Sequence, residues 1–272
     1  MALVTEMLQA LRQNWRHYLV EAAGPMAFLT LSSLAAVLFH HPDSALARAL
    51  GPHEWVQRIG VGLVVGGLVM AMAYSPWGKR SGAHFNPAVT LGFWHLGHIR
   101  TADALWYGLA QFSGALVAGF SMFWLLRPWF EHSTIRYNTT QPPAGEYGWA
   151  LALGAEMLIS AALMLVLLWC LHSATLKKWT GAFVGLLLML FVVVESPLSG
   201  MSLNPARTFG AAAAARIGPG LWLYFLGPFA AMWGTAELYR RYRHHRPSAE
   251  QPPVYPDAET SPPPSLPRRG GT

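Results

Sequence analysis

Five polar side chains stand in otherwise apolar stretches of this 272-residue chain: Asn86, Asn204, Arg207, Glu21 and Glu156. Each asparagine precedes a Pro-Ala pair, Pro87 with Ala88 and Pro205 with Ala206. Asn is among the best helix N-cap residues, and proline suits the first helical position, where its missing N–H costs nothing. An asparagine cap uses its carbonyl oxygen on the helix and keeps N–H donors to offer elsewhere. Arg207 adds a permanent cation with fixed donors. A carboxylate inside an apolar segment is expensive and marks function by default. Donors beside one fixed positive charge suit the binding of an uncharged hydrogen-bonding molecule. Enzymatic chemistry has no comparable support: there is no HExxH pair and no Ser/His pair at the ends of facing segments. The single cysteine, Cys170, excludes an intramolecular disulfide framework and a cysteine zinc site. The expectation is no enzyme, no metal and no cofactor.

The two asparagines lie in one phrase written twice. "SGAHFNPAVTLG" occupies 81–92 and "SGMSLNPARTFG" occupies 199–210, seven of twelve positions being identical. Val89 in the first copy is replaced by Arg207 in the second. A lone Asn-Pro-Ala is usually just a capped loop helix; two copies at equivalent places in two halves favour a function.

The elements around them belong to a membrane. The chain is 53% hydrophobic and 12% charged, half the charge of an ordinary soluble domain at about 25%. Its net charge of +6 comes from residues that flank apolar runs and crowd the C-terminus, which does not make a nucleic-acid face. Six segments suit the roughly 20 residues of a spanning helix: 18–39, 59–74, 104–126, 147–171, 179–194 and 221–238. The second and fifth are short, so their ends extend into the flanks. Each repeated phrase follows the second span of its half. Three spans per half is odd, so the second half enters the membrane upside down, as an inverted repeat. The apolar runs after the prolines hold roughly ten residues, about 15 Å of helix, half of a hydrocarbon core about 30 Å thick. The expected fold is therefore all-α, with six transmembrane helices and two half-membrane re-entrant helices. The boundaries read as an amphipathic N-terminal segment 1–17, a channel-like domain 18–242 and a tail 243–272. The halves are about 18–127 and 147–242, joined by an outer loop 128–146. With both termini in the cytoplasm, thirteen Lys and Arg lie inside and six outside, as the positive-inside rule requires.

Where two half-helices meet end to end, their positive dipole ends face each other. A cation there meets both and no carboxylate, so cations and protons are disfavoured. A neutral hydroxylic molecule can accept from both asparagine amides, and a water so occupied relays no proton easily. The rival reading is a secondary transporter on inverted repeats, with the glutamates as proton relays.

With these residues the chain resembles the aquaporin, or major intrinsic protein, family. The resemblance rests on "SGAHFNPAVT" (81–90), "NPAR" (204–207), Glu21 and Glu156 in the first span of each half, "AQFSGALVAG" (110–119) and "GPFAA" (227–231). It covers roughly residues 15 to 242 and implies a narrow pore in each protomer of a homotetramer. It implies that Glu21 and Glu156 hold the re-entrant loops, and that Arg207 forms an outer constriction with three partners. Counting back from Asn204 with Pro197 as a register mark puts two partners at Met201 and Val192. The fourth, on the second span, falls near Leu63, by a count that has to cross "YSPWGKRSG" (74–82), about three residues longer than the family's usual loop. Water-selective members generally carry histidine at the Val192 position and an aromatic near Leu63; glycerol facilitators usually carry Asp where this chain has Thr208. The Tyr224–Phe225 pair is more like the water-channel branch. The expected function is a passive channel in the cell membrane for water, with glycerol, urea, ammonia, peroxide and uncharged metalloid acids as open alternatives.

Lesser features remain. His84 either touches the inner vestibule or is packed, and Glu195 either bonds the outer loop or faces its vestibule. Asn138 opens an Asn-Thr-Thr glycosylation sequon in the outer loop. "YRRYRHHR" (239–246) is a basic cluster of the kind that contacts anionic lipid. From Pro247 the tail carries eight prolines in 26 residues, a composition expected to be disordered or partly polyproline II.

Overall fold

The structure is a computed structural model describing residues 2–244; the basic and proline-rich tail expected beyond 244 lies outside the described residues. The first helix, α1 (Ala2–His40), is one continuous element of 39 residues. The amphipathic segment 1–17 is thus its first turns, not a separate helix. They are held by the helix over 101–125: Asn14 Nδ2 and Tyr18 Oη donate to Asp103 at 2.8 and 2.7 Å, and Trp106 Nε1 donates to the Met7 carbonyl at 3.0 Å.

A short α2 (Ala45–Leu50) turns the chain into α3 (Glu54–Tyr74), followed by α4 (Pro76–Ser81), the half-length α5 (Pro87–His95), α6 (Thr101–Leu125) and α7 (Arg127–Phe130). The second half repeats the order with α8 (Gly148–Leu171), α9 (Thr180–Val194), α10 (Ser196–Ser199), the half-length α11 (Pro205–Ala215) and α12 (Leu223–His244). The two short spans extend as expected, α3 back to Glu54 and α9 into a 3₁₀ turn at Lys177–Trp179. Among the described residues five helices are long and apolar enough to cross a membrane. The sixth span is α12, whose last turns carry Glu237 ion-paired to Arg240 and Arg241.

Packing repeats with the sequence. α1 lies along α6 and α3; its counterpart α8 lies along α12 and α9. Each half-helix crosses to the other half: α5 packs on α12 and α11 on α6, while α3 and α9 join the halves directly. Without a hydrophobic drive between helices in lipid, small residues let backbones approach. A Cβ on Gly119 would lie 2.0 Å from the Gly210 carbonyl oxygen, and one on Gly210 would lie 2.3 Å from that of Ala115. The obstacles are backbone, which cannot step aside. Cys170 is fully buried in α8. Gly119→Leu is expected to lower the midpoint of thermal unfolding in detergent by the equivalent of about 3 kcal/mol or more, at the upper end of overpacking costs. Gly234→Ala, which meets nothing within 4 Å, should leave it unchanged; equal midpoints for the two variants would show the α6–α11 contact to be dispensable.

Candidate functional site

The loops that precede the half-helices share a backbone despite different side chains. Gly82, Ala83 and Phe85 have φ of 85°, 53° and 52°; Gly200, Met201 and Leu203 have 85°, 53° and 59°. A non-glycine residue in the left-handed region costs roughly 1–2 kcal/mol, so each loop needs an outside hold. In the first half Glu21 supplies it: it accepts from Ser81 Oγ at 2.8 Å, His84 N at 3.1 Å and Phe85 N at 2.7 Å. In the second, Glu156 accepts from Ser199 Oγ at 2.6 Å, Ser202 N at 2.7 Å and Leu203 N at 2.8 Å. Tyr107 and Tyr224 repeat the pattern from outside, donating to the Ser81 and Ser199 carbonyls at 2.7 Å each. Gln111 adds a 2.8 Å bond to Glu21. Both carboxylates are fully buried and face the loops.

Held this way, the loops deliver the two caps to each other. Asn86 Oδ1 accepts from Ala88 N at 2.9 Å, and Asn204 Oδ1 from Ala206 N at 3.0 Å. Pro87 and Pro205 take the first helical positions, and Ala88 and Ala206 are fully buried behind them. One amide hydrogen on each side crosses over: Asn86 Nδ2 donates to the Leu203 carbonyl and Asn204 Nδ2 to the Phe85 carbonyl, both at 2.8 Å. An amide nitrogen has two hydrogens, so each cap keeps one N–H. Both asparagines border a cavity of about 750 Å³ that runs from Lys79 and Lys177 to Met201, with apolar walls such as Val89, Phe93 and Leu188.

Arg207 is the third residue of α11 and 5% exposed. Its Nη2 donates to Asn138 Oδ1 at 3.1 Å, whereas Nε and Nη1 are buried with no hydrogen-bond partner among the described residues. Val192 and Met201 lie together in one buried apolar cluster. Leu63 does not join them: it is 57% exposed on the outer face of α3. The α3 side chains of that cluster are Val65 and, packed against it, Val61 and Val69. At 3.6 residues per turn two residues turn a side chain by about 200°, so Leu63 points away from the face that Val61 and Val65 share.

His84 borders the cavity and is also packed, with Nδ1 3.1 Å from Thr90 Oγ1 and its ring 4.7 Å from that of Phe93. Glu195 is buried, with both carboxylate oxygens lacking a hydrogen-bond partner among the described residues, while Ser199 and the Met201 amide of the outer loop stand near enough to act on it. The sequence reading missed the hydroxyl chain behind α11, where Thr208 Oγ1 meets Ser202 Oγ and, at 2.8 Å, Thr140 Oγ1. Only the position of Thr208, equivalent to Thr90 in the repeat, pointed to it.

A family model described as "Major intrinsic protein" matches residues 8–237. The chain belongs to the major intrinsic protein family. Aquaporin NIP2-3 of Zea mays is 35% identical over 193 residues, 70% of this chain and 61% of that protein. A probable NIP-type aquaporin of Nicotiana alata is 35% identical over 185 residues, 68% of this chain and 66% of that protein. The chain spans about three fifths of the length of the Zea mays relatives it matches. Among solved structures, the aquaglyceroporin of Plasmodium falciparum superposes with a TM-score of 0.67 at 22% identity, covering 84% of this chain and 96% of that one. The fold is thus that of an aquaporin, a multi-pass membrane protein with two re-entrant half-helices.

Removing the carboxylate of Glu21 would leave the amides of His84 and Phe85 buried without acceptors. At about 1–3 kcal/mol for each such group, Glu21→Ala should lose most of its folded protein in detergent, while Glu21→Gln, which keeps an acceptor, should be hurt less. Fluorescence-detected size exclusion checks both; equal recovery of Glu21→Ala and the parent would deny the carboxylate its structural role.

Proposed function

We propose that this chain is a passive membrane channel for water and small uncharged solutes, from which ions and protons are excluded. The observation that carries the reading is the exchange of Asn86 and Asn204 amides across the meeting point of the half-helices, leaving one N–H on each side over the cavity. Two donors at the positive ends of two helices attract the oxygen of a neutral molecule and repel a cation. A water held there as a double acceptor has its hydrogens turned away from both caps, which interrupts a proton wire.

Arg207, with Met201, Val192 and Val65 as apolar company, is the selectivity filter of this reading. Its Nε and Nη1, buried without a partner among the described residues, are the donors this reading assigns to a passing solute. The apolar company suits a pore that admits water and one or more of glycerol, urea, ammonia, peroxide or an uncharged metalloid acid. Glu21 and Glu156 speak against the coupled-transporter alternative: each accepts three bonds from its loop, and neither is among the residues that line the cavity. Both termini in the cytoplasm, a cell-membrane location and a homotetrameric assembly complete the proposal, on the charge count and the family resemblance.

Stopped-flow light scattering on proteoliposomes tests it, with water, glycerol, urea and ammonia run side by side. The parent protein should shrink and swell faster than empty liposomes for water and at least one solute, with flux linear in the gradient. Arg207→Val should raise cation leak, and Val192→His should narrow the range of solutes. A parent no more permeable than empty liposomes to all four would sink the channel; saturable, ion-coupled uptake would favour the transporter.

A further inference from the structure

We propose that Asn138 is a positioning residue for the filter arginine, a fifth member of the filter contributed by the long loop between the halves. This rests on the reading of Arg207 as the filter.

All of the Asn138 amide is engaged. Its Oδ1 accepts from Arg207 Nη2 at 3.1 Å, and its Nδ2 donates to Ser32 Oγ at 2.9 Å and Ser33 Oγ at 3.2 Å. Both serines are buried on α1, and Ser32 is itself tied to the Leu29 carbonyl at 3.2 Å. The guanidinium of the second half is therefore moored, through one amide, to the first helix of the first half. The planar guanidinium has its hydrogens in a rigid fork. Fixing Nη2 at one corner fixes the direction of the others, and Nε and Nη1 are the ones left without a protein partner.

The backbone around Asn138 is built to hold this arrangement. Arg136, Tyr137 and Asn138 have φ of 46°, 56° and 53° in succession, a conformation that persists only where the surroundings enforce it. Tyr137 stacks on Phe123 at 5.8 Å and meets Phe130 edge-on at 6.4 Å, pinning the loop from the apolar side. Asparagine is among the few non-glycine residues that tolerate this region. Its side chain is also neutral, so it orients Arg207 without cancelling the charge that repels cations; an aspartate would do the first and undo the second. The sequon at this position is accordingly used inward, with no free amide hydrogen for a glycan.

Proteoliposome flux of the full chain separates these roles, with urea and water permeability and cation leak as readouts. Asn138→Ala should raise the urea-to-water permeability ratio by about tenfold, the equilibrium weight of one hydrogen bond to a charged group. Asn138→Asp should keep that ratio near the parent value while raising cation leak. Ser32→Ala/Ser33→Ala, which loosens the amide without touching the loop, should move the ratio in the same direction as Asn138→Ala, and it carries the test if Asn138→Ala does not fold. Parent-like ratio and leak in the folded variants, with Arg207→Val still leaky, would overturn the role of Asn138 and leave the filter standing. An Arg207→Val variant indistinguishable from the parent would remove the filter reading itself.

Discussion

The structure depends on two carboxylates that hold irregular backbone inside a membrane. Lipid offers no partner to a free N–H, so non-helical chain survives at that depth only where protein satisfies it. Glu21 and Glu156 each meet two loop amides and a serine hydroxyl. A carboxylate is the fitting choice because it only accepts, at up to four sites, and the loops present only donors to it. Burying a charge is costly, and here the cost is offset by donors aimed from three directions. The left-handed turns at 82–85 and 200–203 are a consequence, since they point successive amides toward one acceptor.

From that hold follows the crossed pair of caps. An asparagine that only capped its own helix could rotate its free nitrogen. Here each nitrogen is tied to the carbonyl preceding the other asparagine, so neither half can settle without its counterpart. The exchange also fixes which hydrogen is left over. Two half-helices with N-termini face to face repel through their dipoles. The two crossing hydrogen bonds oppose that repulsion at the point where it is greatest.

Much of this was legible in the sequence because it is repeated. Two copies of the same phrase, each after the second span of its half, were enough to place the half-helices and their caps, while the anchoring role of Glu21 and Glu156 came from the family resemblance. Composition and charge asymmetry supplied the spans. Register was less legible: Leu63 was expected beside Val192 and Met201, but it is exposed on α3, and Val65 and Val61 are among the α3 side chains that reach their cluster. What stayed hidden were contacts across long separations. The 69 residues between Asn138 and Arg207 carry no pattern that announces their meeting, and the Asn-Thr-Thr triplet invited a different reading.

The remaining asymmetry between the two phrases, Val89 against Arg207, is an electrostatic one. A cation in the first turn of a helix opposes the dipole, and burying it adds a further cost. Such a residue is not there for stability. Its direct protein partner is a neutral amide, and the carboxylate behind it, Glu156, is committed to Ser199, Ser202 and Leu203. On the proposed reading of Arg207 as the filter, that charge is left largely uncancelled toward a passing solute. At about 5 Å and an effective dielectric of about 20, one uncompensated charge opposes a monovalent cation by roughly 3 kcal/mol. That would be a factor of more than a hundred against cations, with no such penalty on a neutral solute. The counterpart Val89 borders the wide part of the cavity, where a second cation would add repulsion without narrowing anything, and an apolar wall suffices.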